Sequence, residues 1–168
     1  MNYKRIFIPN SIVFITMVIQ DRQSILLEHI DILTKSVDEV KLYYDFEIIA
    51  YVVLNDHFHF LMKTEDIKKY PKIIHSIKYN FTKNVGVATP TYKKTKIWQN
   101  RYWEHTIRDE NDLYKHFDYI HYNSFKHCNI APKDWKYSSF EKFVSQGYYE
   151  KEWYNLNDKY KINELNYE

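Results

Sequence analysis

The chain has 168 residues, 45% of them hydrophobic and 27% charged, which is enough apolar material for one packed core and too much for a disordered segment. With only 2 glycines it has no glycine-rich phosphate loop, and with a single cysteine, Cys128, it forms no internal disulfide and suits a reducing cytoplasm. The net charge of +2 does not by itself point to a polyanion, but eleven Lys and Arg against three Asp and Glu fall between Lys63 and Arg108.

The first residues, Met1-Asn2-Tyr3-Lys4-Arg5 and an apolar run, have the outline of a signal peptide. Pro9-Asn10-Ser11 interrupts that run and no small-residue cleavage site follows. The apolar piece also falls well short of the ~20 residues a membrane helix needs. The expectation is a soluble cytoplasmic protein with no membrane partner.

In chain order, residues 11–19 are β-branched and aromatic and predict a central strand. Ile30, Leu33, Val37, Val40 and Tyr44 recur at helical spacing, predicting a helix over 30–44. Residues 46–54 read as a second strand, Asn55-Asp56 as a tight turn, and 57–63 as a third strand in hairpin with the second. Residues 66–84 form a second helix, lysine-rich on one side, with Pro71 in its first turns. After a Thr/Lys loop over 87–96, residues 97–105 predict a short aromatic strand. A third helix covers 109–125, its start favoured by Asp109, Glu110 and Asp112. A weak helical signal follows at 140–144.

The order β-α-β-β-α-β-α predicts an α+β fold of the ferredoxin-like or RRM-like class, a central antiparallel sheet with helices packed on one face. Residues 1–150 are expected to form a single domain and 151–168 a polar tail.

In Asp56-His57-Phe58-His59, strand alternation puts both imidazoles on one face and Phe58 and Phe60 on the other. Two such histidines can share a metal ion; alone they fit a polar pair on a wet face equally well. The third helix carries Tyr119 and Asn123 at i and i+4, neighbours on one helix face. Two imidazoles and an amide oxygen together make a mixed N/O set suited to Mg²⁺ or Mn²⁺, with positions left open. Tyr119 beside that ion is a candidate nucleophile for a phosphodiester, leaving a 5′-phosphotyrosine and a free 3′-OH.

Several motifs in order carry a resemblance that spans nearly the whole chain to about Tyr149. They include Phe46-Glu47 leading into Ala50-Tyr51-Val52-Val53-Leu54, then Asp56-His57-Phe58-His59 and Ile97-Trp98-Gln99. Trp103-Glu104-His105-Thr106-Ile107-Arg108-Asp109-Glu110, Asp118-Tyr119-Ile120-His121-Tyr122-Asn123, and Trp135 with Ser138-Ser139-Phe140 follow. The chain resembles the REP-associated tyrosine transposases, within the HUH single-strand endonucleases and transposases. That resemblance implies His57 and His59 as metal ligands, Asn123 as the third and Tyr119 as the nucleophile. It further implies a single-stranded DNA partner, cut beside palindromic elements that fold as hairpins. Asn55 stands where many relatives have Pro, Ser124-Phe125 where they have Pro-Val, and Asn10 where Gly is usual.

For DNA phosphates the candidates are Lys68, Lys69, Lys72, Lys78 and Lys83, then Lys93, Lys94, Lys96 and Arg101. Tyr79, Trp98, Tyr102 and Trp103 are candidates for base stacking, although tryptophans are more often core. Glu104 and His105 are expected near the site; His121, two residues past Tyr119, is expected to face elsewhere on the third helix, and His29, His75, His116 and His127 are read as surface or core-edge residues. The alternative function is a non-catalytic hairpin DNA- or RNA-binding module of RRM-like fold, although no glycine-aromatic signature of that class is present. Monomer and homodimer are equally compatible with the chain.

Overall fold

Asn10 holds a left-handed turn at φ 61°, a conformation asparagine tolerates better than most residues, and aims the chain into the first strand. In the computed structural model, which describes residues 7–92 and 95–155, that strand is β1 (Ile12–Val18). It is followed by α1 (Ile30–Lys41), β2 (Phe46–Val53), β3 (His57–Thr64) and α2 (Tyr70–Ala88). β4 (Trp103–Thr106), α3 (Glu110–Cys128) and the short α4 (Phe140–Ser145) complete it. The strands form one antiparallel sheet in the order β2-β3-β1-β4, so the two most apolar strands, β1 and β3, are central.

Strand alternation divides the interior into two cores. On one face Val13, Ile15 and Met17 of β1 and Phe58, Phe60 and Met62 of β3 pack against α1 and α2, through residues such as Leu33, Val37, Ile73 and Phe81. On the other, Phe14, Ala50, Val52 and Leu61 meet Phe117, Tyr119 and Ile120 of α3 and Phe143 of α4. The ferredoxin-like class is met, and α1 and α2 share a face as expected. The one-face expectation needs correcting for α3, which covers the opposite face. Its apolar stripe needed a partner, and the helix pattern alone does not say which side of the sheet supplies one.

Asp109 caps α3 by accepting from Asp112 N at 2.8 Å, and Asn129 ends it in the left-handed conformation at φ 54°. A single helical turn at Ile67–Lys69 precedes α2, so Pro71 lies in the first turn of the helix, where its missing N–H is tolerated. The strand expected over 97–105 is broken. Trp98 makes an isolated bridge to Ile19 and buries its ring 5.2 Å from Phe81, and pairing resumes only at Trp103. Among the described residues no helix is long and apolar enough to cross a membrane. Residues 156–168 of the expected tail lie outside those described.

Candidate active site

The register of β1 against β3 pairs Val18 with His57 and Thr16 with His59, which fixes both histidines on the face covered by α3. They are 2% and 0% exposed, so the wet-face alternative is excluded. Their ring centroids lie 4.7 Å apart at 85°. Each Nδ1 is engaged: that of His57 lies 2.6 Å from Asp56 Oδ1 and that of His59 2.8 Å from Thr16 Oγ1. An imidazole donating from Nδ1 carries its lone pair on Nε2, the atom that binds a metal.

Arg22 Nη1 lies 3.3 Å from Asp56 Oδ2 and 3.4 Å from His57 Nδ1. Only one of the two contacts to that nitrogen can be a strong hydrogen bond, and the short one to the carboxylate dominates. Burial would raise the Asp56 carboxyl, but the hydrogen bond and charge of His57 and the Arg22 guanidinium outweigh it and hold it below the usual value.

α3 crosses over this pair. Tyr119 is 1% exposed, with its ring 5.3 Å from His59 and 5.9 Å from Phe14. The Lys126 ammonium stands 5.2 Å over the tyrosine ring. Asn123, one turn on, donates Nδ2 to the Tyr119 carbonyl oxygen at 2.5 Å. That bond assigns the amide orientation and leaves Oδ1 as a buried acceptor that receives no hydrogen bond among the described residues. A buried carbonyl oxygen of this kind costs about 1–3 kcal/mol unless something else satisfies it. Two imidazoles and an amide oxygen are donors of the types that suit a divalent cation, so Nε2 of His57 and His59 and Oδ1 of Asn123 are the atoms that could hold one.

The site extends beyond these four residues. His127 is exposed but sets its ring 4.9 Å from His57. His105, paired across the sheet with Phe14, turns to Asp112, with Nε2 to Oδ2 at 2.7 Å, and stacks on His116 at 4.9 Å and 10°. His116 donates Nδ1 to the Asp112 carbonyl at 2.7 Å and meets Phe14 at 4.8 Å. His105, Asp112 and His116 present ligand atoms within 4.8 Å of one another, a second set of metal-ligating type. Here the Asp112 carboxylate already accepts from His105 and from Arg108 N at 3.0 Å, which ties β4 to the first turn of α3. Burial pulls His116 down to about 4, against the raising effect of Asp112, so it is neutral at pH 7. Glu104 pairs with Ile15 and lies on the α1/α2 side, away from His57 and His59.

Asp112 was legible only as a helix-start residue and His116 was read as surface or core-edge, whereas it is fully buried on α3 beside His105 of β4; Thr16 had no signal at all. Asp56 was visible as the acidic residue before His57, but its partner was not.

The basic candidates lie elsewhere. Lys68 and Lys69 stand exposed in the turn before α2, and Lys72 and Lys83 are exposed on α2, the helix that packs on the face away from Tyr119. Lys96 and Arg101 are exposed, Lys78 is half-buried, and Lys93 and Lys94 lie outside the described residues. Of the aromatic candidates Trp98 is core, Tyr102 is half-buried, Tyr79 is exposed, and Trp103 is at the surface with its ring 5.6 Å from Phe14 on the α3 face of the sheet.

Comparison with known proteins bears on this geometry. The family described as "Transposase IS200 like" matches residues 8–123. A REP-associated tyrosine transposase of Escherichia coli K12 is 34% identical over 154 residues, covering 90% of this chain and 89% of its own. A Haemophilus influenzae protein assigned to the same group is 37% identical over 162 residues, with coverage of 90% and 92%. A solved structure of a REP-associated tyrosine transposase bound to a REP hairpin superposes with a TM-score of 0.85 at 29% identity, covering 99% of this chain and 96% of that one.

Proposed function

Since the chain belongs to the REP-associated tyrosine transposases of the IS200-like family, we propose that it cuts and rejoins single-stranded DNA beside hairpin elements through Tyr119. The observation that carries this reading is His59, whose ring meets both His57 and Tyr119 and so joins the candidate metal ligands to the candidate nucleophile. Hairpin DNA is taken as the partner because the similar solved transposase holds one.

His57, His59 and Asn123 would hold a divalent cation, Mg²⁺ or Mn²⁺, which would supply Lewis-acid polarisation of the scissile phosphate. Tyr119 Oη attacks phosphorus, the bond from phosphorus to the 3′ oxygen breaks, the phenolic proton is released, and the 3′ oxygen takes up a proton to leave as a hydroxyl. The 5′ phosphate stays on Tyr119, so its bond energy is kept and rejoining to another 3′-OH needs no ATP. Because Tyr119 is 1% exposed, the phosphate reaches its hydroxyl only after covering side chains move aside.

The test is incubation of a labelled single-stranded hairpin from the gene's flanking DNA with the protein and Mn²⁺ or Mg²⁺, followed by denaturing SDS electrophoresis. A shifted covalent band that disappears with Tyr119→Phe or EDTA is expected. Cleavage without a band would make water the nucleophile, and binding without cleavage would make the protein a non-catalytic module.

A further inference from the structure

A cavity of about 360 Å³ lies between α1, strands β2 and β3, and residues 136–137, within the size range of small-ligand sites. Its apolar lining includes Val53 and Phe58, register partners across β2 and β3, with Leu33 and Val37 of α1. Phe58 stands between His57 and His59 in β3 and projects to the opposite face of the sheet. The cavity therefore backs onto the strand that carries both histidines. Tyr51 and Tyr137 complete the apolar lining and are only partly buried.

The side formed by residues 135–139 is fixed by hydrogen bonds to β2. Val53 N donates to the Tyr137 carbonyl at 2.8 Å and Ser139 N to the Tyr51 carbonyl at 3.0 Å. The Trp135 indole N–H donates to the Val53 carbonyl at 3.1 Å. These bonds continue the ladder along the outer edge of β2, so the cavity is a preformed feature of the fold.

The polar lining is Thr34, Asp38 and Lys41 of α1 together with Lys136, all exposed. The Lys136 ammonium stands 4.9 Å from the Tyr137 ring centroid and that of Lys41 6.0 Å from the Phe46 ring. Neither forms an ion pair among the described residues. Two ammonium groups against the single Asp38 carboxylate make the rim net positive. An apolar, partly aromatic interior with cations at its rim suits a molecule divided in the same way, a ring-containing apolar body bearing one anionic group. No Asn or Gln lines the cavity, so it lacks the amides that commonly read a base edge.

We propose that this cavity binds a small amphipathic organic anion, its apolar body against Val37, Val53 and Phe58, its carboxylate or sulfonate at Lys41 and Lys136. The assignment uses neither Tyr119 nor the candidate metal ligands and stands apart from the proposed function.

The experiment is a fluorescence titration of the full chain in EDTA with two dyes, anilinonaphthalene sulfonate and its uncharged counterpart phenylnaphthylamine. Saturable binding of both is expected. Lys41→Ala and Lys136→Ala, at exposed positions, should each weaken the sulfonate about fivefold and leave the neutral dye as in the wild type. Thr34→Trp, which sets an indole at the rim from the exposed side of α1, should weaken both dyes. Lys115→Ala, exposed on α3, should weaken neither. The lysine variants decide the outcome by themselves if Thr34→Trp also lowers the urea midpoint. No saturable binding by the wild type would overturn the proposal, as would an unchanged sulfonate affinity in both lysine variants or an equal loss for both dyes. Displacement of the sulfonate by the hairpin oligonucleotide would make the cavity part of a DNA surface and overturn it as well. Failure of the Tyr119 adduct in its own assay would leave these binding results standing.

Discussion

Asp56 Oδ1 lies 2.6 Å from His57 Nδ1, and the same carboxylate's other oxygen lies 3.3 Å from Arg22. This is a carboxylate–imidazole pair with its own cationic brace, and Asp21 and Arg22 hold left-handed φ values of 56° and 53° to supply it. Strain of that kind in two successive non-glycine residues persists only where surrounding contacts enforce it.

If Asp56 orients His57 for a metal, Asp56→Asn should weaken Mn²⁺ binding about ten- to hundredfold while the fold is retained. Calorimetric titration of the DNA-free protein measures this directly. An unchanged affinity would remove Asp56 from the site.

Asn123 is assigned its orientation by the 2.5 Å bond from Nδ2 to the Tyr119 carbonyl. Asn123→Ala should lower Mn²⁺ affinity and slow adduct formation, yet leave hairpin binding in EDTA as in the wild type. If adduct formation instead proceeds at the wild-type rate at low Mn²⁺, the third ligand lies elsewhere.

Phe14 touches His59, His116 and Tyr119 at centroid distances of 5.7, 4.8 and 5.9 Å and is fully buried. Phe14→Ala should cost about 3–5 kcal/mol, read as a lower urea midpoint at constant slope. Phe14→Leu keeps most of that volume, and its adduct rate should fall by more than its stability, because the Phe14 ring packs against both His59 and Tyr119 and fixes how they meet. Equal effects of both substitutions on stability and rate would make Phe14 a packing residue alone.

His116 predicts an acid dependence with a definite window. Its folded value of about 4 lies below the ordinary 6.5, so the unfolded chain binds more protons between these limits. Stability is complete above pH 6.5 and falls as the pH drops toward 4, by a total on the order of 3 kcal/mol. Urea unfolding at pH 7 and pH 4.5 measures the loss, and His116→Gln should reduce it. Asp112, held below its ordinary 3.8, adds its own loss only at lower pH, so the two separate. A midpoint that His116→Gln leaves equally sensitive between pH 7 and pH 4.5 would exclude the assignment.

Much of the site was legible because its residues are related by local periodicity. His57 and His59 are two apart in a strand, and Tyr119 and Asn123 are four apart in a helix; each pair must share a face wherever its element packs. The partners of those residues were not legible for the complementary reason. Thr16 reaches His59 only through the β1–β3 register, and Arg22 reaches Asp56 only through a left-handed turn. Glu104 and His105, adjacent in sequence, point to opposite faces once β4 pairs with β1, so one joins the Asp112 network and the other does not.

By itself the sequence determined the order of strands and helices, the sharing of faces within each element, and the chemical types assembled, because these follow from spacings of two and 3.6 residues. Only the tertiary structure decided that α3 lies over the histidine face while α1 and α2 take the other. Only it set the exposed α2 lysines on the side away from Tyr119 and buried the tyrosine itself. Those outcomes depend on which apolar surfaces find each other across the whole chain, and a local pattern carries the presence of such a surface without naming its partner.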